Sequence, residues 1–81
     1  MFRIVISRIT DDGLRVTPER RGMAMSVDEA VRAVEEHLPA VDTSAFGSGA
    51  VQNSVNRIND FRRDVSTADG GRYRVVIAPM M

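Results

Sequence analysis

Apolar and polar residues alternate at the start of the chain. In Phe2-Arg-Ile-Val-Ile-Ser-Arg-Ile-Thr10, Phe2, Ile4 and Ile6 share one side, and the run is rich in β-branched residues. A spacing of two predicts a strand. Asp12-Gly13 follows, then Leu14-Arg-Val-Thr17 alternates again. An Asp-Gly pair between two such runs predicts a hairpin closed by a tight two-residue turn. Pro18 fits the end of a strand or an edge strand, Arg20-Arg21-Gly22 reads as a turn, and Met23-Ala-Met25 as a short extended lead-in.

The spacing then changes. Ser26-Val-Asp-Glu29 has the form of a capping box, in which the Ser hydroxyl takes a free amide three residues on and Glu29 reaches back. Val27, Ala30, Val31, Val34 and Leu38 recur at helical intervals, with Asp28, Arg32, Glu35 and Glu36 on the other side; Pro39 stops the helix near Leu38. Ala40 to Ser48 reads as a loop with Phe46 tucked beneath it. A second helix is expected over residues 50–63, its stripe formed by Val51, Val55, Ile58 and Phe61 and continued by Val65. Ala68-Asp-Gly-Gly71 is a turn, and Arg72-Tyr-Arg-Val-Val-Ile-Ala78 is a last strand, with Tyr73, Val75 and Ile77 on one side and Arg72 and Arg74 on the other. The expected fold is α+β, in the order ββααβ: a three-stranded antiparallel sheet with two helices on one face. The other face, with Arg3, Arg15, Arg72 and Arg74 on or near it, would be wet and basic.

Residues 1–81 make one domain, with a core near the lower limit of what folds unaided. Without Cys, disulfides and thiolate chemistry are excluded, which suits a cytoplasmic protein. The apolar start is broken by Arg3 and Arg8 and is too short for a signal-peptide core or a membrane span. All eleven cations are Arg and the net charge is zero, yet the charge is segregated. Residues 1–24 carry five Arg against three acids, residues 25–45 one Arg against five acids, and residues 46–81 five Arg against three acids.

Catalysis needs a nucleophile beside a base, a metal cluster or paired carboxylates in a cleft. The chain offers none of these, and no cofactor, metal or enzymatic activity is expected. His37, the single histidine, falls near a helix end, where the dipole favours it. Asp11-Asp12 belong to a turn, and adjacent Glu35-Glu36 point in different directions around their helix. Gly47-Ser48-Gly49 lacks the Lys and the second fixed Gly of a phosphate loop. Met23, Met25, Met80 and Met81 are adaptable apolar groups that fill gaps or meet another copy of the chain.

Binding residues are easier to find. Gln52, Asn56, Asn59 and Arg63 are spaced by four, three and four, and so would share one face of the second helix, with Asn53 close by. Three Asn lower intrinsic helix stability, so such a face is suited to hydrogen bonding with a partner. Arg62 and Arg63 would end that helix, where its dipole favours cations, and Arg20 and Arg21 would form a loop pair. Arg makes planar bidentate contacts with carboxylates and phosphates. Three of the four aromatics, Phe2, Phe46, Phe61 and Tyr73, look committed to core, which argues against a base-stacking platform.

The stretch Gly47-Ser-Gly-Ala-Val-Gln-Asn-Ser-Val-Asn-Arg-Ile-Asn-Asp-Phe-Arg-Arg63 resembles the Gly-Ser-Gly opening and the Asn-bearing, Arg-ending last helix of a small phage-encoded anti-CRISPR protein that inhibits a multi-subunit surveillance complex. The likeness covers about a fifth of the chain, with gaps, and here a strand follows the helix. It implies an inhibitor working by occupancy. The acidic first helix, with Asp28, Glu29, Glu35 and Glu36, would face the basic nucleic-acid channel of a Cas protein, and the Asn/Arg helix would add hydrogen bonds. The alternative from the residues themselves is a nucleic-acid-binding module using the Asn56/Asn59/Arg63 helix or the basic sheet face. A third is a structural protein that dimerises through an exposed sheet edge.

Overall fold

In the computed structural model, described here for residues 1–38, 51, 60–68 and 70–80, four strands form one antiparallel sheet. The elements are β1 (Phe2–Ile9), β2 (Val16–Ala24), α1 (Val27–His37), β3 (Phe61–Ser66) and β4 (Arg72–Pro79). Strand order is β2-β1-β4-β3, so the first and last strands lie side by side in the middle. The described elements therefore run ββαββ, with four strands and one helix, which corrects the expected three strands and two helices in the order ββααβ.

The correction comes from residues 61–66. Phe61 and Val65 are four apart, an interval that is one helical turn and also two strand alternations. β4 decides between them: Phe61 pairs with Ile77, Arg63 with Val75 and Val65 with Tyr73, so the segment is an edge strand burying Phe61 and Val65. Of the rest of the expected second helix, Val51 is buried in the core, and residues 52–59 lie outside the described residues, as do Phe46 and the Gly47-Ser48-Gly49 motif.

The first hairpin forms, but its loop is longer than the two residues expected. Thr10 N–H donates to Arg15 O at 3.0 Å, and Gly13 N–H to Thr10 O at 2.8 Å. The Asp12 carboxylate accepts from the Thr10 hydroxyl and from Leu14 N–H. Gly13 supplies a φ of +73°, which a side chain would strain. β2 also runs on through Pro18 and through Arg20-Arg21-Gly22, where a turn was expected. An edge strand tolerates Pro on its outer side. The partner of Ile6 is Arg20 and that of Ser7 is Pro18, which leaves Glu19 as the extra residue of a β-bulge.

The helix matches its expected limits. Ser26 Oγ accepts from Glu29 N–H at 3.2 Å, and Glu29 Oε2 accepts from Met25 N–H at 3.2 Å. At the other end Leu38 N–H donates to Val34 O, just before Pro39. Val27, Ala30, Val31 and Val34 pack toward the sheet, over Ile4 and Ile6 of β1 and Val75 and Ile77 of β4. Alternation makes β1 a test of these faces. Ile6 is fully buried under the helix, while Val5 is half-buried on the opposite side. Ile6→Ala should cost roughly 3 kcal/mol of stability and Val5→Ala about 1 kcal/mol, read from urea midpoints; equal costs would refute the assignment of faces.

Candidate functional site

The register sorts the arginines. On the side away from α1, paired residues form lines across the sheet. Arg21, Val5, Val76 and Arg62 make one line, from edge to edge. Met23, Arg3 and Ala78 make a second; Pro18, Ser7, Arg74 and Asp64 a third; Val16, Ile9, Arg72 and Ser66 a fourth. Five arginines from four strands thus share this face, on which Ser7, Ile9 and Ala78 are buried. Arg3, Arg21, Arg62 and Arg72 are exposed and Arg74 is half-buried. Arg3, Arg72 and Arg74 lie where the alternation predicted, whereas Arg15 belongs to the hairpin loop.

One carboxylate is paired within this face. Arg74 donates from Nε to Asp64 Oδ1 at 2.8 Å and from Nη2 to Oδ2 at 3.3 Å, a bidentate cross-strand pair. This hydrogen bond, helped by the charges of Arg74, Arg72 and Arg62, holds the Asp64 carboxyl below the ordinary carboxylate value and raises the Arg74 guanidinium. Asp60, immediately before β3, is exposed. The apolar surface between the arginines is aliphatic. Phe2, Phe61 and Tyr73 all belong to the helix side of the sheet by register.

Arg62 and Arg63 therefore do not end a helix, and no helix dipole favours them; they are neighbours in β3 and point to opposite faces. Arg62 joins the open face. Arg63 lies on the helix side with its guanidinium 5.7 Å from the centre of the Phe61 ring. Gln52, Asn56 and Asn59 lie outside the described residues, and Arg63, in a strand, cannot continue a helical stripe with them.

Asp28, Glu29, Glu35 and Glu36 are all exposed on α1. At 100° per residue they fall within an arc of about 120° around Arg32, opposite the buried stripe. Beside this arc a groove of about 300 Å³ runs between α1 and β2, with Arg20 and Arg32 next to Glu29 and Glu36. The acidic arc and the arginine face thus occupy opposite sides of the protein. They are two surfaces: of the sequence-derived binding residues, the four carboxylates lie on the first and Arg62 on the second, while Arg63 lies on neither.

A third grouping brings together residues far apart in the sequence. The Glu19 carboxylate, placed by the bulge, faces two neighbours: His37 Nε2 is 3.1 Å from its Oε1, and Arg8 Nη1 is 3.8 Å from its Oε2. Arg8 in turn lies over Tyr73, at 5.7 Å from the ring centre. These contacts tie the C-terminal end of α1 to the sheet.

Among the described residues, no group of three His, Asp or Glu could hold a metal ion, and no helix is long and apolar enough to cross a membrane. Comparison with known proteins finds no family model, no characterised relative and no solved structure that matches this chain.

The Asp64 pair has a pH signature. Its folded value is depressed, so its contribution is present above the ordinary carboxylate value of 3.8 and is lost as pH falls through the lower folded value. Both partners are substantially exposed, so solvent screening keeps the pair's contribution small at neutral pH. Asp64→Asn should lower the urea midpoint slightly at pH 7, and the gap from the parent protein should close as pH falls below about 4. A gap that stays constant down to pH 2 would show that the charge of Asp64 is not what stabilises.

Proposed function

We propose that the chain is a non-catalytic binding module, acting in the cytoplasm, that takes nucleic acid on the open face of its sheet. The observation that carries this reading is the convergence of Arg3, Arg21, Arg62, Arg72 and Arg74 from all four strands on one side, with Asp64 as the carboxylate paired among them. Guanidinium groups suit phosphate by charge and by fork geometry. Phosphate contacts give affinity and position without sequence information. Among the described residues, the surface between the arginines offers no aromatic ring for stacking bases, which favours contact with the backbone over reading of the bases.

Binding of a fluorescent 20-base-pair duplex, followed by anisotropy across a salt series, tests this. With about four phosphates neutralised, log K should fall against log salt with a slope of roughly −3 to −4. Replacing Arg21 and Arg62 together by Gln should flatten the slope by about 2 and weaken binding at low salt at least tenfold. Absence of salt-dependent binding at 50 mM salt would overturn the reading.

A second reading rests on a separate observation, the four exposed carboxylates of α1 within one arc. In it the protein is an inhibitor of the anti-CRISPR kind that sets this arc against the basic channel of a Cas subunit. Glu35→Lys with Glu36→Lys should then abolish capture of that subunit from nuclease-treated lysate, with the circular dichroism spectrum unchanged. Capture that survives the reversal would remove the acidic arc from the mechanism.

A further inference from the structure

The chain has no net charge, yet it carries one surface with an excess of acids, around Arg32, and one with an excess of arginines, around Asp64. Three pairings of these surfaces between two copies of the chain can be compared. Sheet against sheet would bring five arginines onto five arginines. Helix against helix would oppose two sets of carboxylates. Helix against sheet alone brings unlike charges together. We propose that the acidic arc of α1 in one copy docks on the arginine face of the next, head to tail.

The dimensions suit this contact. Asp28 and Glu29 form one acidic pair and Glu35 and Glu36 a second, seven residues further on, which is about 10 Å along a helix. Arg21 and Arg62 lie in one line on opposite edge strands, three strand spacings or about 14 Å apart. Side chains as long as Glu and Arg bridge the difference. Val5 and Val76, half-buried between those arginines, give the helix a shallow aliphatic floor. Arg3, Arg21, Arg62 and Arg72 have no carboxylate partner within the described structure, so docking breaks no ion pair of theirs.

A helix-on-sheet contact uses different patches on its two partners. Each new copy leaves one acidic arc and one arginine face unoccupied at the ends of the assembly, so growth continues and does not stop at a dimer. The contact is dominated by exposed charges and is therefore weakened by salt. It does not depend on the nucleic-acid reading, although phosphate and the neighbour's carboxylates would compete for the same guanidinium groups.

Sedimentation velocity without nucleic acid tests the proposal. In 20 mM salt the mean mass should rise with concentration past that of a dimer, and in 500 mM salt it should return to that of the monomer. Two variants, each confirmed folded by circular dichroism, block one surface apiece. Asp28→Asn with Glu35→Gln and Glu36→Gln neutralises the helix, and Arg3→Gln with Arg21→Gln and Arg62→Gln neutralises the sheet. Each alone should be monomeric at both salt concentrations. Mixed in equal amounts in 20 mM salt they should form a heterodimer and nothing larger, because only one matching pair of surfaces remains. A parent protein that stays monomeric up to millimolar concentration in 20 mM salt would overturn the proposal. So would a dimer that persists in either variant, or a mixture in which the two do not associate.

Discussion

The pairing of β1 with β4 is the constraint on which the other features depend. It joins the two ends of the described chain across eight consecutive residue pairs, from Phe2 with Pro79 to Ile9 with Arg72. Its register puts Ile4 beside Ile77 and Ile6 beside Val75, and these four residues join the buried face of α1 in one core. A slip of β4 by one residue would turn Val75 and Ile77 outward and bring Arg74 and Val76 inward. The cost of burying Arg74 makes such a slip prohibitive. The same alternation that builds the core thus assembles the arginine face, with no separate device needed to gather the arginines.

How far the sequence could be read follows from the same period. β1, β4 and α1 were legible because their apolar positions fit one period and conflict with the other. Val27, Ala30, Val31, Val34 and Leu38 cannot lie on one side of a strand, and Tyr73, Val75 and Ile77 cannot lie on one side of a helix. Residues 61–66 have just two apolar anchors, spaced by four, and that interval satisfies both periods. Arg63 sits between them on the core side of the sheet, where its guanidinium reaches over the Phe61 ring at the sheet's edge. An Arg at a core-side position hid the alternation. In β2 the pattern was broken differently, since Pro18 and Arg20-Arg21-Gly22 are turn residues by local chemistry. The bulge at Glu19 and the position at the edge are tertiary facts, and they override that chemistry.

The candidate site was legible in part for the same reasons. Arg3, Arg72 and Arg74 follow from strands whose period was plain, as do the carboxylates of α1. Arg21 and Arg62 were visible as cations but were placed in a loop and on a helix. Only the register of two edge strands reveals that they share a line through Val5 and Val76. The face therefore looked like a few scattered charges in sequence and becomes a continuous surface in the fold.

The distribution of charge also explains how zero net charge and a basic sheet face can coexist. Long-range attraction to a polyanion scales with net charge and is absent here, so association gains no steering at a distance. At contact the relevant distance is shorter than the thickness of the domain, and a group on the sheet face lies near its arginines while the helix carboxylates lie on the other side. With a screening length near 8 Å at physiological ionic strength, the two surfaces act almost independently. At low salt they do not, and each surface then feels the opposite charge of neighbouring molecules. One sheet register, fixed by the packing of Ile4, Ile6, Val75 and Ile77, thus makes the protein neutral at a distance and sharply two-faced at contact.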